Sequence, residues 1–273
     1  GVEPNKAQIA QAIAPFAERF CSMPVEIRTT SLPLERREVS FRFVDEAARG
    51  QIWSLARSWF ELAGPETAFM DAVHGAFALR AEGIDADVRL GFRKVWAFLS
   101  AEHPIQRFSA LAAAPPALDE LRAVLSQYEL DHFSIVGTDH HNGTCNLYPM
   151  LAPGWARRER IVDLARDLGF APLAAEWLNH VEHSVAANFT LSWKTGRVER
   201  MSFYRPAPSS AELPDDPVLQ RFARECPVIA PARVFIPSIA YAHGGNYRKL
   251  EADYDGNILG VLIRCAQVPR SEV

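Results

Sequence analysis

Two textures alternate along the chain. In the first, apolar residues recur three to four positions apart among Ala, Leu, Arg and Glu, the spacing of a helix with one buried face. It covers 5–20, 45–62, 66–82, 116–128, 158–169, 173–183 and 217–226. Pro65 stands where the third of these begins and Pro115-Pro116 lead into the fourth, positions where a missing N–H costs a helix nothing. In the second texture apolar and polar residues alternate with the period of a strand. VRLGF precedes RKVWAFL, HFSIVGTD and TCNLYPM flank HHNG, and AANFTLSW and RVERMSFY flank KTG. Asn142-Gly143 and Thr195-Gly196 are turn signals between such runs. The same pattern predicts pairs at 25–31 with 37–43 and at 233–241 with 247–255.

Five strand pairs, recurring roughly every 45 to 60 residues with helices between them, indicate a repeated supersecondary unit. Ten antiparallel strands joined this way can close into a barrel inside a helical coat, which removes every sheet edge. The expected class is therefore α+β with a ten-stranded antiparallel β-barrel. No Pro/Gly/Ser linker divides the chain, so residues 1–273 read as one domain, with 205–217 as a loop inside it. One face of each strand is apolar, as a helical coat requires. The other carries Lys94, Trp96 and Phe98, then Thr144, Asn146 and Tyr148, then Asn188, then Arg200, Ser202 and Tyr204, then Lys249, Glu251 and Asp253. A solvated face would be polar throughout; aromatic rings mixed with single cations fit an enclosed lumen better.

Composition narrows the partners. The 273 residues are 48% apolar and 23% charged, ordinary for a globular chain. No apolar run reaches the roughly 20 residues of a membrane span, and no secretory signal is expected. A net charge of −4 supplies no basic field for nucleic acid. Cys21, Cys145, Cys226 and Cys265 are widely spaced, which fits neither a zinc site nor a redox pair and suits a reducing cytoplasm. His180-Val-Glu-His183 and His140-His141 lack a third metal ligand at a recognisable spacing. There is no GxGxxG, Walker loop or GxSxG, and Asp215-Asp216 has no matching acids that would make an isoprenoid synthase motif.

Five segments in order, GFRKVWAF, FSALAAAPPAL, TDHHNGTCNLY, NFTLSWKTGRVERMSFY and NYRKLEADY, resemble the ABBA aromatic prenyltransferases over nearly the whole chain. The resemblance implies a barrel of ααββ units that moves an allylic group from its diphosphate to an electron-rich aromatic ring. The metabolites implied include phenols, hydroxyphenylpyruvate and phenazines. It implies a diphosphate site of Arg42, Lys94, Thr144, Asn146, Arg200 and Lys249, and an allyl and acceptor pocket at Trp96, Phe98 and Tyr148. Asn188 stands where the family has a diphosphate-binding Tyr, so that contact is altered. Ser40 replaces a magnesium-binding Asp and Arg42 matches the metal-independent group, so no cofactor is expected. Tyr204 shares the lumen face with these rings. Glu251, on the strand face of Lys249, is the first candidate base for the ring proton, and Asp253 the second. The competing reading is a non-catalytic barrel that binds an aromatic or acidic metabolite.

Overall fold

Ten antiparallel strands close into a barrel in the order β1-β10-β9-β8-β7-β6-β5-β4-β3-β2, each paired with its sequence neighbours and β1 with β10. The structure, a computed structural model, describes residues 2–17, 26–47, 50–207, 209–230, 233–256, 260, 263–264 and 267–271. The strands are β1 (Glu26–Thr30), β2 (Val39–Asp45), β3 (Leu79–Asp87), β4 (Gly91–Pro104), β5 (His132–Asp139), β6 (Thr144–Tyr148), β7 (Ala186–Ser192), β8 (Val198–Tyr204), β9 (Phe235–Ala242) and β10 (Tyr247–Asp253). The helices are α1 (Lys6–Ile13), α2 (Gln51–Trp59), α3 (Pro65–Ala76), α4 (Ile105–Ser109), α5 (Leu118–Leu125), α6 (Arg158–Asp167), α7 (Ala175–Val181) and α8 (Pro217–Glu225). Three hairpins, β3–β4, β5–β6 and β7–β8, each follow a helix pair, which makes the ααββ repeat explicit.

The outward strand faces form the main core. Ile84, Val95, Leu99, Val136, Leu147, Phe189, Leu191, Met201 and Phe203 pack under Ile52, Phe69, Leu121 and Leu164 of the helices. Full burial of side chains of this size is worth about 1.5–3 kcal/mol each, so the coat holds the barrel closed and the lumen face is free to carry charge. Among the described residues no helix is long and apolar enough to cross a membrane.

The first hairpin after α3 departs from the sequence reading. The helix assigned to 66–82 stops at Ala76, and Leu79–Asp87 is strand; VRLGF is mostly the turn that follows it. The reason lies in the side chains of β3. Glu82 faces outward and is fully buried, and its carboxylate accepts from the backbone N–H groups of Gly50, Ile52 and Trp53 at the start of α2. Acids on both faces gave this strand a helical composition. α4 carried no periodic signal in five residues. Of the helix expected over 5–20, residues 18–20 lie outside the described ones, as does residue 25 of the first strand pair. The Asp215-Asp216 pair has a structural role: the Asp216 side chain caps α8 by accepting from the N–H groups of Val218 and Leu219.

Candidate active site

Strand alternation turns every second residue inward, and the register places the inward residues in rows around the lumen. One row runs Glu26, Arg42, Asp85, Lys94, Asp139, Thr144 and Ser192. Another runs Trp96, Gly137, Asn146, Thr190 and Arg200. Glu251 lies opposite Arg28, and Arg28 opposite Ser40. The residues expected at the site therefore face one lumen. Arg42, Lys94, Thr144, Asn146, Arg200 and Lys249 come from five hairpins, together with Trp96, Phe98, Tyr148, Asn188, Tyr204 and Glu251.

The lumen has a polar end and an apolar end. At the hairpin-turn end, an opening of about 520 Å³ is lined by Glu38, Arg93, Asp139, Asn142, Thr144, Arg200 and Tyr247, among others. Arg200 Nη1 donates to the Tyr247 hydroxyl at 2.9 Å and Nη2 to Thr190 Oγ1 at 3.0 Å. Its Nε, the Nδ2 of Asn146 and the Nδ2 of Asn188 are buried donors without a partner among the described residues. Lys249 Nζ donates to Ser202 Oγ at 3.1 Å and to the Tyr204 hydroxyl at 2.9 Å. Burial, reinforced by Arg200, pushes the Lys249 ammonium well below its ordinary value. Burial likewise lowers Lys94, to about 8, against the attraction of Asp139 at 3.5 Å.

Towards the other end the lining is apolar: Ala81, Trp96, Phe98 and Ile135 cluster, and Tyr148 joins them to Ala186, Tyr204 and Ile236. Trp96, Tyr148 and Tyr204 form an arc of rings with centroids 5.2 and 6.0 Å apart. Arg42 stacks 4.3 Å from the Trp96 centroid and Lys249 Nζ lies 4.8 Å from that of Tyr204.

Two expected residues behave differently from the rest. Arg42 is committed within the protein: its Nε donates to Asp85 Oδ1 at 2.8 Å and its Nη1 to Glu26 Oε2 at 2.9 Å. Asp253 is buried at the end of β10, where Oδ1 accepts from the Gly256 N–H at 2.9 Å. Glu251 is buried and, among the described residues, has no carboxylate–cation contact within 4 Å, so Lys249 is not its ion-pair partner.

Sequence reasoning missed a set of lumen charges. Asp85 is held below the usual carboxylate range because Arg42, Arg28 and Lys94 outweigh the effect of burial. It also accepts from Trp96 Nε1 at 2.9 Å. Asp139 accepts from Arg93 Nε at 2.9 Å and from the turn N–H groups of His141 and Asn142. Burial lifts Glu26 from 4.5 to about 8, with Arg42 opposing. Glu26 and Arg28 alternate along β1 as plainly as the residues of β10 do, and that alternation was the available signal. Among the described residues no group of three or more His, Cys, Asp or Glu is arranged to hold a metal ion.

A closed ten-stranded antiparallel barrel in a helical coat, with cations at one end of its lumen and rings at the other, is the ABBA barrel of prenyltransferases. The chain belongs to the aromatic prenyltransferase Orf2 family, whose sequence description it matches over residues 1–265. It is 26% identical over 63% of its length to a furaquinocin biosynthesis prenyltransferase of Streptomyces sp.. Over 68% it is 24% identical to the 5,10-dihydrophenazine-1-carboxylate 9-dimethylallyltransferase of Streptomyces anulatus. The alignments span 58% and 64% of those relatives. A 6-dimethylallyltryptophan synthase from Micromonospora olivasterospora, solved with DMASPP and Trp, shares the fold. Its TM-score is 0.55 at 13% identity, over 91% of this chain and 84% of that one.

Proposed function

We propose that this protein transfers a dimethylallyl or longer isoprenyl group from its diphosphate to an electron-rich aromatic ring, without requiring magnesium. The observation that carries the reading is the division of one lumen into a donor-rich polar end and an arc of three rings. A diphosphate fits the first and an allyl chain with an aromatic acceptor fits the second. The names of the two Streptomyces relatives point the same way.

In this reading the allylic C–O bond breaks with its electron pair going to the diphosphate oxygen. Arg200, Lys249 and Lys94 stabilise the charge that grows there, and because they are fixed beforehand they need no reorganisation. Thr144, Asn146 and Asn188 add neutral donors. An incoming dianion also favours the protonated form of Lys249, opposing the effect of burial. The allyl cation faces the rings of Trp96, Tyr148 and Tyr204, where each ring face is worth roughly 0.5 to 2 kcal/mol. Phe98 and Ile135 keep that end dry. An acceptor ring carbon forms the new C–C bond, and Glu251 takes the ring proton. Asp253 is the weaker candidate because its carboxylate is held by the Gly256 N–H.

The test is to incubate the protein with dimethylallyl diphosphate and a panel of phenols, hydroxyphenylpyruvate and phenazine carboxylates. The expected result is a product heavier by one isoprene unit with equimolar pyrophosphate. A folded Arg200→Ala variant should be slower by about 10²- to 10³-fold. Saturable binding of donor and aromatic with no product from any pair would return the protein to a binding role.

A further inference from the structure

The cations of the lumen are not equally committed, and the difference follows the barrel wall. On the wall built from β2 to β5 both guanidinium groups are hydrogen-bonded to acids, and the lysine is ion-paired. Arg42 bridges Asp85 and Glu26, Arg93 bridges Asp139 and Glu38, and Lys94 lies 3.5 Å from Asp139. The wall formed by the neighbouring strands β1, β10, β9 and β8 is different. Arg28 on β1 is 5% exposed. Its nearest carboxylate oxygens are 3.5 Å away on Asp85 and 3.9 Å away on Glu38, and both approach Nη2. Neither contact is a hydrogen bond, and Arg28 Nε and Nη2 have no partner among the described residues. On the same wall Arg200 Nε and Ser238 Oγ are also buried without partners. Ser238 stands opposite Lys249 in the β9–β10 register.

A guanidinium cannot shed its proton to escape burial. Two of its donors left unmade in a low-dielectric interior cost more than neutral donors would. Ion pairing with Asp85 and Glu38 offsets the charge and leaves those hydrogen bonds open. An anion with several acceptor oxygens, placed between β1 and β8, would satisfy Arg28, Ser238 and Arg200 at once.

We propose that Arg28 is a direct ligand of the donor's diphosphate, which lies against the β1–β10–β9–β8 wall; this inference rests on the functional reading above. Arg42, by contrast, is a positioning residue: it fixes Trp96 and holds two acids.

The experiment titrates wild type, Arg28→Lys, Arg28→Met, Asp85→Asn and the double variant Arg28→Met/Asp85→Asn with inorganic pyrophosphate and with dimethylallyl thiodiphosphate in a calorimeter. Each protein is melted alongside. The loss of charge-assisted hydrogen bonds should weaken both ligands about 10- to 100-fold in Arg28→Met. Arg28→Lys should fall between this and wild type, since it keeps the charge but not the fork. If Arg28→Met folds poorly, the double variant removes the share of the Asp85 charge that Arg28 had offset at Oδ2 and should regain stability. It should still bind at least tenfold more weakly than Asp85→Asn alone. A folded Arg28→Met, or a double variant matched to Asp85→Asn, with affinity within about threefold of its reference overturns the proposal and leaves the functional reading standing. A wild type that binds neither ligand overturns both.

Discussion

Glu251 and Lys249 are two residues apart on one strand and face the same lumen, but they do different work. Lys249 is bonded to Ser202 and Tyr204, so neutralising Glu251 strips no ion pair from it. Glu251→Gln should therefore fold with a melting temperature near that of wild type and bind donor at least as well. Turnover should fall by about 10²- to 10⁴-fold, the usual contribution of a general base. Normal turnover in the folded variant would remove Glu251 from the proton transfer. Glu26 tests the electrostatics of the same row. One guanidinium, Arg42, serves two carboxyls; Asp85 stays ionised, while burial leaves Glu26 protonated up to about 8. The unfolded chain ionises at Glu26 from about 4.5 upward. The stability that the neutral carboxyl contributes is thus complete below that pH and lost as pH rises through about 8. The slope approaches about 1.4 kcal/mol per pH unit between the two values. Urea titrations across that range should show Glu26→Gln with a flatter decline than wild type; parallel declines would mean that Glu26 is ionised in the fold.

The strands β3, β4 and β5 show how an element sets the position of a ring. Gly83 and Gly137 flank Trp96 in the register, and a Cβ on Gly137 would sit 2.8 Å from the indole. The ring cannot yield cheaply, because Asp85 holds its N–H and Arg42 stacks on its face. Gly137→Ala should cost about 1–3 kcal/mol in thermal unfolding and shift tryptophan emission. An unchanged melting temperature and spectrum would show that the strand moves freely. These elements also mark the limit of what the sequence reveals. RKVWAFL and NFTLSW were legible because their outer faces are apolar and their turns carry Gly. β3 was not, because Glu82 is spent capping α2 and Asp85 on anchoring Arg42, contacts made from distant parts of the chain. Arg28 and Glu26 went unnoticed for a related reason: a charge on a short strand looks solvated until the barrel closes over it.

At the scale of the molecule the hairpin repeat was readable and correctly implied closure, and closure is what turns scattered polar positions into one lumen. What pattern could not supply was the division of that lumen into a wall whose guanidinium groups are hydrogen-bonded to acids and a wall where Arg28, Arg200 and Ser238 keep donors without a partner among the described residues. Ser40 lies between Arg28 and Asp87, and Asp87 Oδ1 is taken by the turn N–H groups of Arg89 and Leu90. The positive charge of Arg28, the register partner of Ser40, opposes a divalent cation there. Prenyl transfer is accordingly expected to proceed at full rate in excess EDTA. Loss of activity on chelation, restored by magnesium, would contradict that part of the account. The most direct test of the central claim is a crystal structure with dimethylallyl thiodiphosphate and an aromatic acceptor. The diphosphate should lie at the hairpin-turn end on Arg200 and Lys249, the allyl group against Trp96, Tyr148 and Tyr204, and the acceptor ring within reach of Glu251. A donor bound outside the barrel, or with its diphosphate among the rings, would contradict that claim.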